Sequence, residues 1–266
     1  MDLVQNSFAQ LELSYPNMLH NYNYFRSKLK DTTKLLILIK ANSYGHGALE
    51  FARQMEKAGA DYFGIAHPVE GVELREGGIK TPIIVLTAGT DSFEDIVNHY
   101  LEPSIPSMAA LLKFDAYLKS RDIEHYPVHI KLDTGMHRLG FMKQELPELI
   151  EYLKNKPRVK VQSIFSHLAA SDDPQHDEFT HGQYNMYKKH ASMIDAVLDY
   201  KPIHHILNSA GIERFPQYQF DMVRLGIGVY GVSALPDVKL SPAALPTMAR
   251  PKGESSDSLY SMGLAS

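Results

Sequence analysis

The sequence predicts an α/β chain folded as a (β/α)8 barrel of the TIM type, followed by a short irregular C-terminal tail. Three observations carry this. Short β-rich apolar runs alternate with longer amphipathic or polar stretches, the pattern of parallel strands joined by helical crossovers. Eight such runs can be counted, which suggests a closed barrel rather than an open sheet. Lys40, Asp133, His167 and Asn208 each stand at the C-terminal end of an expected strand, with Lys131 and Arg224 inside the last turns. In a barrel, that rim is where chemistry is done.

In chain order, a helical pattern over Pro16–Leu29 precedes the first strand. Strands are expected at Leu35–Lys40, Tyr62–Ala66, Pro82–Thr87, Leu101–Ile105, Val128–Asp133, Val161–His167, His204–Asn208 and Asp221–Leu225. Helix-like stretches between them include Gly47–Ala58, Ser92–His99, Ser107–Lys119, Gln144–Lys154 and Glu178–Leu198. Residues 1–233 make the barrel. Residues 234–266, rich in Pro, Ser, Ala and Gly and without sustained periodicity, read as a tail with no independent domain.

The composition is that of an ordinary globular protein, with 44% hydrophobic and 22% charged residues in 266. A net charge of −4 gives no support for nucleic-acid or anionic-membrane partners. There is no cysteine, so disulfides, thiolate metal sites and a cysteine nucleophile are excluded. No leader-like opening and no membrane-length apolar run is present, so the chain is expected to be soluble and cytoplasmic.

The stretch LLILIKANSYGHGALEF, Leu35 to Phe51, drives Lys40 to the end of a buried strand and then into a glycine-bracketed turn. A lysine so placed either snorkels to solvent or serves as a base or Schiff-base amine. In VHIKLDTGMHRLGF, alternation puts His129, Lys131 and Asp133 on one face, and the following loop carries Arg138 back over the rim. Lys131 and Asp133 could also be a simple salt-bridged strand end. The acidic and histidine-rich loop after His167 (Asp172, Asp173, His176, Asp177 and His181) matches no metal-binding pattern and reads as solvated residues and helix caps, with no metal expected.

GIGVYG, Gly226 to Gly231, formally matches a dinucleotide fingerprint, but the glycines run on into Ser-Ala-Leu-Pro, where no helix is expected. A phosphate reading survives. Barrels often hold phosphate in the loops after strands 7 and 8, which here are Ser209-Ala210-Gly211 and Gly226-Ile227-Gly228. A lysine after strand 1 and a phosphate cradle after strands 7 and 8 together suggest pyridoxal 5′-phosphate (PLP) bound through Lys40.

IKANSYGHG resembles the cofactor-lysine motif of bacterial alanine racemases, and KLDTGMHRLGF, SHLAASDD, LNSAGI and DMVRLGIGVYG resemble their later motifs in the same order. The resemblance covers about residues 7 to 233. It implies an eight-stranded PLP barrel and a PLP-dependent isomerase that interconverts L- and D-alanine for peptidoglycan precursors, homodimeric in the full-length family. It further implies that Lys40 bonds the cofactor and acts as one of two bases. Tyr44, Ser209, Gly226 and Ile227 would hold the phosphate, and Arg138 the phenolic oxygen. Lys131 would carry a carboxyl group that orients Arg138. His167 would lie beneath the ring and link to Arg224, which faces the pyridine nitrogen. Leu86, Asn208 and Tyr230 complete the candidate cofactor contacts.

Two departures are visible. His137 stands where the family often has glycine. The residues after 233 match nothing of the family's second domain, which carries a catalytic tyrosine, and Tyr260 in the tail is not assigned that role. The expectation is therefore a truncated, weakly active racemase. A stand-alone PLP-binding barrel without turnover is the alternative.

Overall fold

Leu35 to Ile39 are almost entirely shielded from solvent, because a barrel strand is covered on one face by helices and on the other by the barrel's own interior. The computed structural model describes residues 9–155 and 157–248. Strand β1 (Ala9–Leu13) and helix α1 (Tyr15–Arg26) lead into β2 (Lys34–Leu38), α2 (Ala48–Lys57), β3 (Tyr62–Ile65), α3 (Pro68–Glu76) and β4 (Ile83–Val85). Then follow α4 (Phe93–Asn98), β5 (Glu102–Ile105), α5 (Met108–Ser120), β6 (Tyr126–Lys131), α6 (Leu146–Lys154) and β7 (Val159–Phe165). The last elements are α7 (Asp177–Asp195), β8 (Ile203–His205), α8 (Ser209–Arg214), β9 (Met222–Leu225) and β10 (Ala244–Met248).

Strands β2 to β9 form one eight-stranded parallel sheet in which β9 pairs with β2. The remaining edges meet through Asp221 N–H to His204 O (3.1 Å) and Arg224 N–H to Leu207 O (3.0 Å), which closes the barrel. Alternation sorts each strand. Leu35, Ile37 and Ile39 face outward with Phe51, Ala52 and Met55 of α2, in the main core between sheet and helices. Leu36, Leu38, Tyr62, Ile84 and Met222 make a separate cluster inside the barrel. Each large side chain so buried contributes about 1.5–3 kcal/mol. The outer layer therefore supplies most of the stability and leaves the other half of the interior free for polar residues.

Helix α3 carries no run of apolar periodicity that would mark it in the sequence. It is nucleated locally: Pro68 opens it, and Glu70 Oε2 accepts from the backbone N–H of Ala66 (2.7 Å) and His67 (3.1 Å). After β9, Ile227–Tyr230 form a short 3-10 turn where no helix was expected, too short for a dinucleotide-binding helix.

The expected irregular tail needs correction as far as Met248. Asn21, fully buried on α1, donates to Val229 O (3.0 Å) and Ser241 O (2.7 Å) and accepts from Ser241 N–H (3.0 Å). Glu213 accepts from Ser233 Oγ (2.6 Å) and Ala234 N–H (2.7 Å). β10 then pairs antiparallel with β1 in a two-stranded sheet. This pairing joins opposite ends of the chain, so local composition does not announce it. Residues 249–266, with Tyr260, lie outside the described residues. Among the described residues no helix is long and apolar enough to cross a membrane.

Candidate active site at the C-terminal rim

Strand β2 stops at Leu38, and Lys40 begins a turn rather than ending a strand. Ala41, Asn42, Ser43 and Tyr44 all have φ between 51° and 54°, one turn of left-handed chain. Four L-residues in that region store about 1–2 kcal/mol each. The surroundings over-determine the turn. Glu70 Oε1 accepts from Ala41 N–H (2.6 Å), Asn42 Oδ1 accepts from Ala48 N–H (2.7 Å), and Ser43 N–H reaches Ile39 O (3.0 Å). The result is that Lys40 Nζ lies 5.8 Å from the centre of the Tyr44 ring. Tyr230 packs against Tyr44 at 4.9 Å and anchors its own hydroxyl to Leu38 O at 3.1 Å, so it braces the turn.

Opposite the turn, Asn208 caps α8, its amide oxygen accepting from Gly211 N–H (2.9 Å) and Ser171 Oγ (2.8 Å). The Asn208 side chain is thus engaged in the scaffold and sets the position of Ser209. Ser209 Oγ accepts from Gly226 N–H (2.9 Å) and Gly228 N–H (3.2 Å). A Cβ placed on Gly226 would sit 3.1 Å from the Tyr44 hydroxyl, 3.2 Å from Leu38 and 3.8 Å from Ser209 Oγ. Two hydroxyls and a glycine backbone therefore line one narrow cup. Ile227 opens the 3-10 turn beside it, where the first N–H groups have no partner within the turn. Leu86 packs with Tyr44 on the interior cluster.

The other wall is cationic. Arg224, 3% exposed, donates through Nη2 to Ser166 O (2.6 Å) and Ile206 O (3.0 Å), and meets His167 Nδ1 at 3.3 Å. Its Nη1 donates to His205 Nδ1 at 2.8 Å. The Phe165 ring lies 5.4 Å from the Arg224 guanidinium and 5.9 Å from Lys131 Nζ, and stacks on His205 at 4.9 Å. Burial pulls the Lys131 pKa down to about 8, helped by Arg138, Arg224 and Lys40, and opposed by Asp133. Burial, then Arg224, Lys131, Arg138 and Lys40, hold His167 down at about 3. Burial also brings Arg224 down to about 10, still protonated at neutral pH. Four cations thus converge on one end of the barrel, and such a site calls for an anionic ligand.

Arg138 rides on an exposed loop pinned at its base by Phe141 N–H to Lys131 O (2.8 Å) and Asp133 N–H to Phe141 O (2.9 Å). Asp133 does not pair with Lys131; it accepts from the N–H groups of Gly135 (2.9 Å) and His137 (3.2 Å) and shapes the loop. Asp173 caps a short turn, Asp177 pairs with Arg214 at 2.7 Å, and His181 bonds the Tyr218 hydroxyl at 2.6 Å. No group of three or more His, Asp or Glu side chains among the described residues could hold a metal ion. Sequence reasoning missed Asn42 and Glu70, which clamp the strained turn, and His205, which supports Arg224. The only signal for His205 was its place two residues before Leu207 in a strand that ends at the rim.

The family described as "Alanine racemase, N-terminal domain" matches residues 13–234. The chain belongs to the alanine racemase family. It is 37% identical over 233 residues to an alanine racemase of Synechocystis sp., covering 86% of this chain and 61% of that protein. With a Nostoc sp. alanine racemase the identity is 34% over 236 residues, covering 87% and 60%. A solved alanine racemase of Clostridium difficile, in complex with cycloserine, superposes with a TM-score of 0.84 at 33% identity, covering 91% of this chain and 68% of that one. The chain therefore spans about three fifths of the curated alanine racemases it matches.

His137, which the resemblance sets where the family often has glycine, has φ 54° and is exposed. The loop conformation is one that glycine adopts freely. His137→Gly is expected to raise unfolding free energy by about 1 kcal/mol by relieving this strain, read from urea denaturation midpoints. No gain, or a loss, would show that the imidazole contacts here outweigh the strain.

Proposed function

We propose that this chain is the cofactor-bearing barrel of a PLP-dependent alanine racemase, with alanine as substrate. The observation that carries the proposal is the convergence of Lys40, Lys131, Arg138 and Arg224 on one barrel end, next to the Tyr44–Ser209–Gly226 cup. The cup is lined by donors suited to a phosphate, and the cations suit a phosphate together with a phenolate. When bound, PLP supplies an electron sink for the carbanion that forms when alanine loses its α-proton.

In this reading, Lys40 would be the residue that holds the cofactor, its Nζ bonding the aldehyde carbon with loss of the aldehyde oxygen as water, and would serve as the base for the α-proton on one face of alanine. Tyr44 and Ser209 would donate hydroxyl hydrogens to the phosphate, with the N–H of Ile227, while the Gly226 N–H, which donates to Ser209 Oγ, would hold that hydroxyl in place. Arg138 would hold the phenolic oxygen. Arg224 would donate to the ring nitrogen but, as a guanidinium, would not readily give up a proton to it. That choice keeps the sink weak, which suits brief α-deprotonation better than transamination. Racemisation needs a second proton-transferring group on the opposite face. In the family this is a tyrosine of the second domain from the partner subunit, so activity is proposed for a homodimer that includes that domain.

A pKa near 8 leaves Lys131 partly neutral at physiological pH, as attack on CO2 requires. The new N–C bond releases one proton and leaves a carbamate whose negative charge relieves the cation cluster and orients Arg138. The sign of the pH effect follows. Lys131 falls from an ordinary 10.5 to about 8 on folding, so between these values the unfolded chain binds more protons and stability rises with pH. Below pH 8 the destabilisation is fully present. In CO2-free buffer, Lys131→Met is expected to raise the urea midpoint at pH 7 and to lose that advantage toward pH 10. An advantage constant across this range would show that Lys131 stays protonated throughout. Bicarbonate is expected to narrow the difference at pH 7.

The function is tested by proton NMR of D- and L-alanine separately in D2O with the chain and PLP. Loss of the α-proton from D-alanine with configuration retained supports Lys40 as a base acting alone. Appearance of the opposite enantiomer shows a second base. No exchange from either enantiomer overturns enzyme function for this form of the chain.

A further inference from the structure

Five side chains inside the barrel form an unbroken hydrogen-bonded line from Arg224 to Glu102. Arg224 Nη1 meets His205 Nδ1 at 2.8 Å, and His205 Nε2 meets Ser163 Oγ at 2.9 Å. Ser163 Oγ then meets His129 Nδ1 at 2.6 Å, and His129 Nε2 meets Glu102 Oε2 at 2.8 Å. His129 and Ser163 are fully buried, His205 and Arg224 nearly so. Glu102 opens β5, at the opposite strand end from the rim, with its side chain 14% exposed. Arg75 is the other charge nearby, and its guanidinium already donates to the carbonyls of Ile79, Thr81 and His99.

The direction of the line is set from its two ends. A guanidinium has donors only, so His205 Nδ1 must accept and its proton sits on Nε2. Ser163 accepts that proton's hydrogen bond and turns its own hydrogen to His129 Nδ1. The His129 proton is then on Nε2, aimed at the Glu102 carboxylate. Reversing His205 would set its Nδ1–H against the Arg224 N–H, two donors face to face, and reversing His129 would set its Nε2 lone pair against the Glu102 carboxylate, two acceptors face to face, in a buried space. Every link therefore points from a cation to an anion, and burial strengthens each electrostatically.

Arg224 Nη2 is held by Ser166 O and Ile206 O, so the line is what holds Nη1. We infer that Glu102 is a positioning residue for Arg224: from the far end of the barrel its carboxylate fixes the tautomer of His129, and through Ser163 and His205 the guanidinium's orientation toward a ligand at the rim. The inference rests on the reading of Arg224 as the partner of the PLP ring nitrogen.

The test is long-range 1H–15N NMR of the histidines in the chain without PLP, assigned with His129→Gln and His205→Gln. Both rings are expected as Nε2–H tautomers. In Glu102→Leu, His129 is expected to move its proton to Nδ1, and PLP binding, followed by absorbance titration, to weaken about fivefold. Glu102→Gln keeps an acceptor carbonyl and is expected to preserve both tautomers and to bind PLP within about twofold of the parent. A proton on Nδ1 of either ring in the unaltered chain overturns the inference, whether or not any variant folds. So does a Glu102→Leu chain that leaves His129 unchanged or binds PLP as tightly as the parent. If the tautomers are as stated but the unaltered chain binds no PLP, the line is upheld and the cofactor reading of the site fails instead.

Discussion

Lys40→Ala is expected to abolish the reducible covalent link to PLP and to slow α-proton exchange from D-alanine in D2O by at least about a thousandfold. The side chain leaves the turn after β2, whereas Lys131, a second lysine at this end of the barrel, sits on a different strand. Lys131 is fixed in β6 and does not share the Lys40 turn. The substitution spares the backbone bonds that clamp the left-handed turn, because those run through Glu70, Asn42 and Ile39. The Tyr44–Ser209–Gly226 cup is also untouched, so PLP is expected to bind without a covalent bond. Mass spectrometry after borohydride reduction reads the link, and NMR reads the exchange. Exchange at the parent rate would place the base elsewhere and remove Lys40 from the chemistry.

Arg224→Leu is expected to lower unfolding free energy by about 3–5 kcal/mol, the usual range for breaking a buried charged network from one side. The guanidinium serves the carbonyls of Ser166 and Ile206, the His205 ring and the His167 ring at once. Leucine satisfies none of them, and the orphaned acceptors remain inside the barrel. The same variant is expected to bind PLP weakly. Urea denaturation measures the first effect and absorbance titration the second. A stability loss under about 1 kcal/mol would mean that water reaches these acceptors and that Arg224 behaves as a surface charge.

The barrel was legible because its strands are short apolar runs buried on both faces, a pattern that survives in a bare sequence. All eight expected barrel strands are present, and their ends differ by a few residues. The ends differ because the C-terminal rim residues are set by side-chain partners rather than by pairing. His167, for instance, was expected to close its strand, but β7 stops at Phe165, two residues earlier. Local reading also missed the β1–β10 ribbon, since neither five-residue strand is stable without its distant partner.

At the barrel's C-terminal end, the positions of Lys40, Lys131, His167 and Arg224 were legible because each stands at or within two residues of a strand end. Supporting residues were not. Glu70 looks like an ordinary acid in the first turn of a helix, and becomes a clamp only because α3 packs beside the Lys40 turn. His205, Ser163 and His129 look like occasional polar residues in apolar strands. Their common direction becomes visible only when parallel strands bring them into one file.

By itself the sequence determined the (β/α) alternation and the order of the rim residues, because periodicity and residue type are local properties. The tertiary structure alone decided that Ala41 to Tyr44 take a left-handed turn, that Asp133 serves the loop rather than Lys131, and that a line of buried groups joins Arg224 to Glu102. Each of these depends on hydrogen bonds between residues far apart in the chain, and such bonds leave no periodic trace until the barrel closes and excludes water from them.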